Sequence, residues 1–310
     1  MARALVILLA LTIDLIWGDP PNQLHPVAWI GRWLRWGQRL APQHHRFWFG
    51  ASWTLAGTLL FALPWWKVEG RKQSILHPSS LILHPFLLKP VFAYCNLRQA
   101  VMSVAEALAL ANLSEARRLL SWHLVSRDTS DLTEPEVIGA AIESLAENLT
   151  DSLAAPLLVY AGGGLFAAWA YRFINTADAM WGYRTLEFEE LGKFPARFDD
   201  ALNWLPARLT GWLLVIAAWL VGEQANGAAR TMLNQHQRTA SPNSGWTMSA
   251  MAGALGVTLD KRGVYALEGG QGWLNVATIA RALRLADVCA GLVVVLSVLV
   301  AIVAQARVKK

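Results

Sequence analysis

Acidic, amide and arginine side chains gather in short stretches of this sequence, each beside an apolar run. Asp199 and Asp200 are adjacent, Asn203 stands one helical turn on, and Arg197 and Arg208 bracket them. Hard oxygen donors of this kind suit Mg²⁺, which takes one or two carboxylates and completes its shell with substrate phosphates. Arginine grips phosphate oxygens bidentately. Asp199 and Asp200 are therefore the expected metal ligands, with structural ion pairs as the alternative.

Glu143, Glu147 and Asp151 are spaced i, i+4, i+8 and share one face of a helix. Like charges so spaced weaken a helix, so Mg²⁺ or a buried arginine should compensate them. A solvated acidic stripe is the plain alternative, disfavoured because the helix runs straight into an apolar segment. Arg127-Asp128 suits either phosphate or an ion-paired turn. Asn175 and Asp178, at i, i+3, face one partner or merely cap a helix. From Gly18 to Arg32, prolines and glycines fix a rigid turn that holds Asp19, His25 and Arg32 near an apolar segment. An ordinary capped loop would look the same.

The elements that position these groups are apolar. Of 310 residues, 55% are hydrophobic and 16% charged, against about 25% charged in soluble domains. Sixteen tryptophans suit interfacial anchoring. The net charge of +5 is spread through connecting stretches and the C-terminal end, and no basic run interleaves with aromatics as a nucleic-acid strip would. Nucleic acid is not an expected partner; membrane lipid is. The two cysteines, Cys95 and Cys289, give neither metal spacing nor a disulfide framework. Residues 1–17 carry no small-residue cleavage site and read as a retained membrane segment.

Residues 47–66 and 288–304 are long enough to cross a bilayer as helices. Residues 153–170 are interrupted by Gly162-Gly163-Gly164 and read as one span or a re-entrant pair. Residues 211–222 are short for a span, and 81–94 are weakened by Pro85 and Pro90. Amphipathic helices are expected over 97–124, broken near Asn112, with Ser114 as an N-cap. A capping box of Thr133 and Glu136 should start a helix from Glu134 to about Thr150. No alternating strand pattern and no glycine-rich phosphate loop is visible. Residues 67–85, where Ile-Leu-His-Pro occurs twice, read as a low-complexity insertion loop, and His77 and His84 within it lack the partners of a metal site. The expected fold is all-α: a single polytopic integral membrane domain over 1–310, with about four or five membrane segments and helical polar loops.

In order and wording, the polar stretches resemble the CobD/CbiB family of cobalamin biosynthesis. Gly-Asp-Pro-Pro…His-Pro…Gly-Arg runs from Gly18 to Arg32. Arg-Asp-Thr begins at Arg127, and Glu-x-x-x-Glu-Asn-x-x-Asp runs from Glu143 to Asp151. Asn-Thr-x-Asp-x-Met-x-Gly-Tyr ends at Tyr183, and Ala-Arg-x-Asp-Asp-x-x-Asn-x-x-Pro-Ala-Arg ends at Arg208. Ser-Pro-Asn-x-Gly-Trp begins at Ser241. Departures lie in the 67–85 insertion and in the turn after Leu259.

The resemblance implies an adenosylcobinamide-phosphate synthase. Such enzymes join adenosylcobyric acid, a corrinoid, to (R)-1-amino-2-propanol phosphate, with ATP as co-substrate and Mg²⁺. Activation of the carboxylate as an acyl phosphate is the expected route, with a carboxylate or His25 as base. Carried over by motif, Asp199, Asp200, Glu147, Asp151 and Asp178 become the expected catalytic residues. Asp19, His25, Arg32, Arg127, Asp128, Glu143, Asn148, Asn175, Tyr183, Arg197, Asn203, Arg208, Asn243 and Trp246 become the expected substrate and phosphate contacts. A multi-pass protein of the cytoplasmic membrane is implied, with its polar loops facing the cytoplasm. An AmpE-like sensor without activity would not need the full polar set. A prenyltransferase binding Mg²⁺-diphosphate would leave the N-terminal and Ser-Pro-Asn motifs unexplained.

Overall fold

The computed structural model describes residues 2–20, 23, 25–69 and 78–308. Pro21, Asn22, Leu24, Lys309, Lys310 and the first Ile-Leu-His-Pro copy up to His77 lie outside them. In chain order the helices are α1 (Ala2–Trp17), α2 (Pro26–Leu40), α3 (Arg46–Glu69), α4 (Pro78–Leu88), α5 (Tyr94–Ala109), α6 (Leu113–His123), α7 (Glu134–Leu149), α8 (Ala155–Trp181), α9 (Lys193–Val221), α10 (Ala225–Gln235), α11 (Ser244–Leu255) and α12 (Val276–Val308). A π-helical turn, Thr150–Ala154, joins α7 to α8. Among the described residues the strands form a short antiparallel hairpin, β1 (Thr258–Lys261) and β2 (Tyr265–Glu268), which periodicity does not reveal. Strands this short leave too few residues to show alternation.

Among the described residues, four helical stretches are long and apolar enough to cross a membrane: Arg46–Trp66, Glu134–Trp181, Lys193–Val221 and Val276–Arg307. Their outward residues repeat at helical spacing. Leu55, Leu59 and Leu63 are exposed on α3, Trp212, Ile216 and Leu220 on α9, and Val295, Leu299 and Val303 on α12. Water would penalise such stripes, whereas hydrocarbon accepts them, so these are lipid-facing sides. Trp48 and Trp66 are exposed near the two ends of the α3 span, where aromatic belts form. The chain is an all-α membrane protein.

Several local expectations shift. Residues 211–222 are not an isolated short run but the end of a 29-residue helix, about 43 Å long at 1.5 Å per residue. At the end of the triple glycine the helical conformation breaks: α8 is two helical segments meeting at a kink at Gly164, where φ is 76° and ψ is −162°. That left-handed φ is cheap only for glycine. The α6 cap is Asn112, not Ser114, because the Asn112 side chain accepts from the Glu115 N–H at 3.1 Å. The capping box of Thr133 and Glu136 is present. Part of the expected insertion loop is helix: α3 runs through Glu69 and α4 begins at Pro78, with His84 and Pro85 buried.

The chain divides into two compact units. The first comprises Met1–Ala93, Ala155–Asn203 and Val294–Lys310. In it α3 and α2 pack on α8, and α1 packs on α4. The second comprises Tyr94–Ala154 and Trp204–Val293. Its centre is α7, buried from Val137 to Ala146 and flanked by α5, α6, α11 and β1.

In the second unit α10 and α11 meet backbone to backbone. A Cβ on Gly227 would lie 2.6 Å from the Gly253 carbonyl, and one on Gly253 would strike the Gly227 carbonyl. Small residues permit such close crossings. Gly253→Ala should therefore push α10 from α11 and cost roughly 1–3 kcal/mol, the scale of overpacking. A lower thermal midpoint of the purified protein in detergent is the expected result; an unchanged midpoint would mean that the crossing relaxes freely.

Candidate functional site

In the first unit a lysine unremarked in the sequence organises the N-terminal motif. Lys89 lies in a 3-10 turn after α4, 3% exposed. Its ammonium pairs with Asp14 of α1 at 2.9 Å and with Asp19. His25 caps α2: its Nδ1 accepts from the Val27 N–H at 3.2 Å, and its Nε2 faces Asp19 at 3.8 Å. Both ring nitrogens are thus engaged, which makes His25 a poor candidate for the base. Burial alone would raise the Asp19 carboxyl, but hydrogen bonding to His25 and to Lys89 outweighs it and holds the carboxyl below its ordinary 3.8. Arg32 is exposed on α2, with no ion-pair partner among the described residues. The signal for Lys89 was present: an ionisable residue in an apolar stretch defaults to a role.

Further along the same unit, α8 and α9 bring Asn175, Asp199 and Asn203 together. Asp199 accepts from Asn175 at 3.3 Å and from Asn203 at 2.9 Å. Tyr171 donates to the Asn203 side chain at 2.9 Å. Asp178 and Asp200 are the charged neighbours of Asp199. Successive helical residues point about 100° apart, so Asp199 turns inward to the amides while Asp200 lines a cavity of about 400 Å³. That cavity also presents Tyr183, Arg184, Lys193 and Arg197, with Phe188 beside Tyr183. Of its cations, Arg197 was expected; Arg184 and Lys193 were not.

Among the described residues no group of three or more His, Cys, Asp or Glu could hold a metal by itself. Asp199 and its carboxylate neighbours beside a cationic cavity suit Mg²⁺ carried in on phosphate oxygens, not an ion caged by protein alone.

The second unit holds the remaining expected residues in separate places. Glu143 and Glu147 lie on α7, whereas Asp151 follows in the π turn, so the regular i, i+8 alignment is broken before it. Such turns often occur at functional positions. Glu143 is buried, with the Tyr265 hydroxyl as a neighbour and Arg127, Lys261 and Glu147 as its charged neighbours. Asn148 donates to the Ser144 carbonyl at 3.0 Å. Arg127 and Asp128 part company: Asp128 is exposed and accepts from the Ser130 N–H at 2.9 Å and hydroxyl at 3.0 Å, which lowers its carboxyl. Arg208 lies over the rings of Trp204 and Trp246, 4.2 and 4.9 Å from their centroids, and donates to Asn243 at 3.3 Å. Cation–π contact of this kind fixes the guanidinium plane.

Sequence comparison bears on what these groups do. The family described as CobD/Cbib protein matches residues 7–286. "Probable cobalamin biosynthesis protein CobD" of Methanothermobacter thermautotrophicus is 42% identical over 267 residues, 86% of this chain and 87% of that protein. "Cobalamin biosynthesis protein CobD" of Dehalococcoides mccartyi is 39% identical over 270 residues, 86% of this chain and 87% of its own length. The protein of the same name from Klebsiella pneumoniae is 36% identical over 254 residues, 80% of this chain and 79% of its own. No solved structure matches.

The Lys89 cluster yields two predictions. Lys89→Met should remove the ammonium that Asp14 and Asp19 share, a loss on the scale of about 3–5 kcal/mol; thermal unfolding in detergent measures it, and a parent-like midpoint would contradict the pairing. Asp19 has a depressed folded-state pKa, so its contribution is complete above its unfolded value of 3.8 and is lost as pH falls below that. The parent should lose stability on acidification below about pH 4 more steeply than Asp19→Asn. Equal slopes would contradict this.

Proposed function

The chain belongs to the CobD/CbiB family, and from that premise we propose that it is an ATP-dependent amide ligase of cobalamin biosynthesis. It joins a propionate carboxylate of adenosylcobyric acid to the amine of (R)-1-amino-2-propanol phosphate, giving adenosylcobinamide phosphate. The pathway comes to it through its relatives, which are named cobalamin biosynthesis proteins. The observation that carries the ligation is the cationic cavity of Arg184, Lys193 and Arg197, which Asp200 also lines, next in sequence to the buried Asp199.

The chemistry asks for such a set. A carboxylate is a poor electrophile. Attack of the corrinoid carboxylate on the γ-phosphorus of ATP forms an acyl phosphate and releases ADP. Attack of the amine on the acyl carbon then forms the amide, expels inorganic phosphate and sheds one proton. Mg²⁺ bound with the nucleotide supplies charge neutralisation at the phosphates. Arg184, Lys193 and Arg197 hold the polyphosphate, since preorganised cations lower the cost of charge moving during phosphoryl transfer. Asp199, kept in place by Asn175 and Asn203, and Asp200 orient the metal-bearing side of the nucleotide. With both His25 nitrogens engaged, a carboxylate takes the proton; Asp178, Glu147 and Asp151 are the candidates. ATP is cytoplasmic, so the chain is assigned to the cytoplasmic membrane with its polar segments on that side.

Asp199→Asn and Asp200→Asn keep side-chain volume and should leave the protein folded and inserted. At least one should lower ATP consumption that depends on both co-substrates by about 100-fold, the scale of losing a key electrostatic contact, and raise the Mg²⁺ concentration needed. Parent-like turnover by both variants across a Mg²⁺ titration would remove the centre from this cavity.

A further inference from the structure

The carboxylates of α7, in the second unit, have unusual surroundings. Glu143 is 7% exposed, and its Oε1 is buried without a hydrogen-bond partner. An unsatisfied carboxylate oxygen in such a place costs free energy unless a ligand completes it. The Tyr265 hydroxyl is a neighbour of the same carboxylate. Burial first, then the fields of Glu143 and Glu147, push the Tyr265 hydroxyl above its ordinary value, so it stays protonated as a donor.

Two cations stand opposite. Arg127 acts on Glu143, and Lys261 acts on both Glu143 and Glu147. The formal charges balance, yet among the described residues neither carboxylate is in ion-pair contact with either cation. Charges whose purpose was only to neutralise each other would gain most by closing to direct hydrogen-bonded contact. Here they are close enough to interact and are held apart.

The hairpin does the holding. Lys261 and Tyr265 are directly paired across β1 and β2, so their side chains leave the same face, with the Lys261 ammonium 5.9 Å from the Tyr265 ring centroid. Between them Arg262 pairs with Glu136 at the start of α7 and with Asp131 at 3.3 Å. β1 packs on α7. The turn is therefore anchored outside the acidic face, and the next residues of the hairpin are laid over it.

We propose that this face, Glu143 and Glu147 beneath Lys261, Tyr265 and Arg127, binds a short amino alcohol phosphate. The carboxylates take its ammonium, with Glu143 Oε1 as the acceptor, and Lys261 and Arg127 take its phosphate. A small zwitterion matches a site that offers both signs of charge, whereas a nucleotide polyphosphate would meet the two carboxylates as repulsion. The assignment rests on the ligase reading, in which (R)-1-amino-2-propanol phosphate is the amine substrate, and it makes Lys261 and Tyr265 specificity residues of the hairpin.

Equilibrium binding by calorimetry tests it, using the full-length protein in nanodiscs with neither ATP nor corrinoid. The probes are (R)-1-amino-2-propanol phosphate and isopropyl phosphate, which lacks the amine. The parent should bind the first more tightly. Glu143→Gln should weaken the amino alcohol phosphate about tenfold or more, one lost charge-assisted contact, and leave isopropyl phosphate unchanged. Lys261→Met, on the half-exposed hairpin, should weaken both probes, and it carries the test alone if the α7 variant does not fold. Parent affinity in both variants, or no binding by the parent, overturns the site. Binding as predicted by a parent that forms no amide would instead strike the ligase reading and leave this site standing.

Discussion

A charge withdrawn from water must meet its counter-charge or its hydrogen-bond partners inside the fold. In a chain this apolar, that requirement organises the polar structure. Lys89 is held by Asp14 and Asp19. Asp199 is held by two side-chain amides, themselves backed by Tyr171. Glu143 lies beside a phenol and has cations from two other segments as neighbours. Each solution draws on residues distant in sequence, so the helices are fixed by their polar partners as well as by packing.

That constraint also explains what the sequence disclosed and what it withheld. The apolar run 47–66 and the capping box at Thr133 are local patterns, and they appear as the α3 span and the start of α7. The composition and the outward stripes of α3, α9 and α12 agree, because both reflect the same lipid-facing requirement. The 211–222 run looked too short because its helix begins in polar sequence at Lys193; hydropathy sees apolar length and not helical length. Ser114 and Asn112 are both good caps, and only the backbone geometry selects Asn112.

The candidate site was legible as residue types and not as groupings. Asp199 and Asn203 meet because one helical turn separates them, and that spacing can be read directly. Asp199 and Asp200 were expected to act as one pair, yet adjacency on a helix sends them to different surroundings. Arg127 and Asp128 diverge likewise. Lys89, Lys261 and Tyr265 contribute through contacts across 70 or more positions or through a hairpin too short for periodicity to detect. The family motifs named most of the acidic and amide residues and the cations Arg127 and Arg197; Lys89, Arg184, Lys193 and Lys261 came from the structure.

The account stands on coupling between nucleotide consumption and amide formation. Mass spectrometry of the corrinoid after single turnover by the purified protein in nanodiscs tests this most directly, with ATP, Mg²⁺, adenosylcobyric acid and (R)-1-amino-2-propanol phosphate supplied. The predicted result is a corrinoid heavier by the amine less one water, with one ADP and one inorganic phosphate released per product. Amide formed without ATP, or ATP consumed at the same rate with no corrinoid present and no adduct formed, would contradict it.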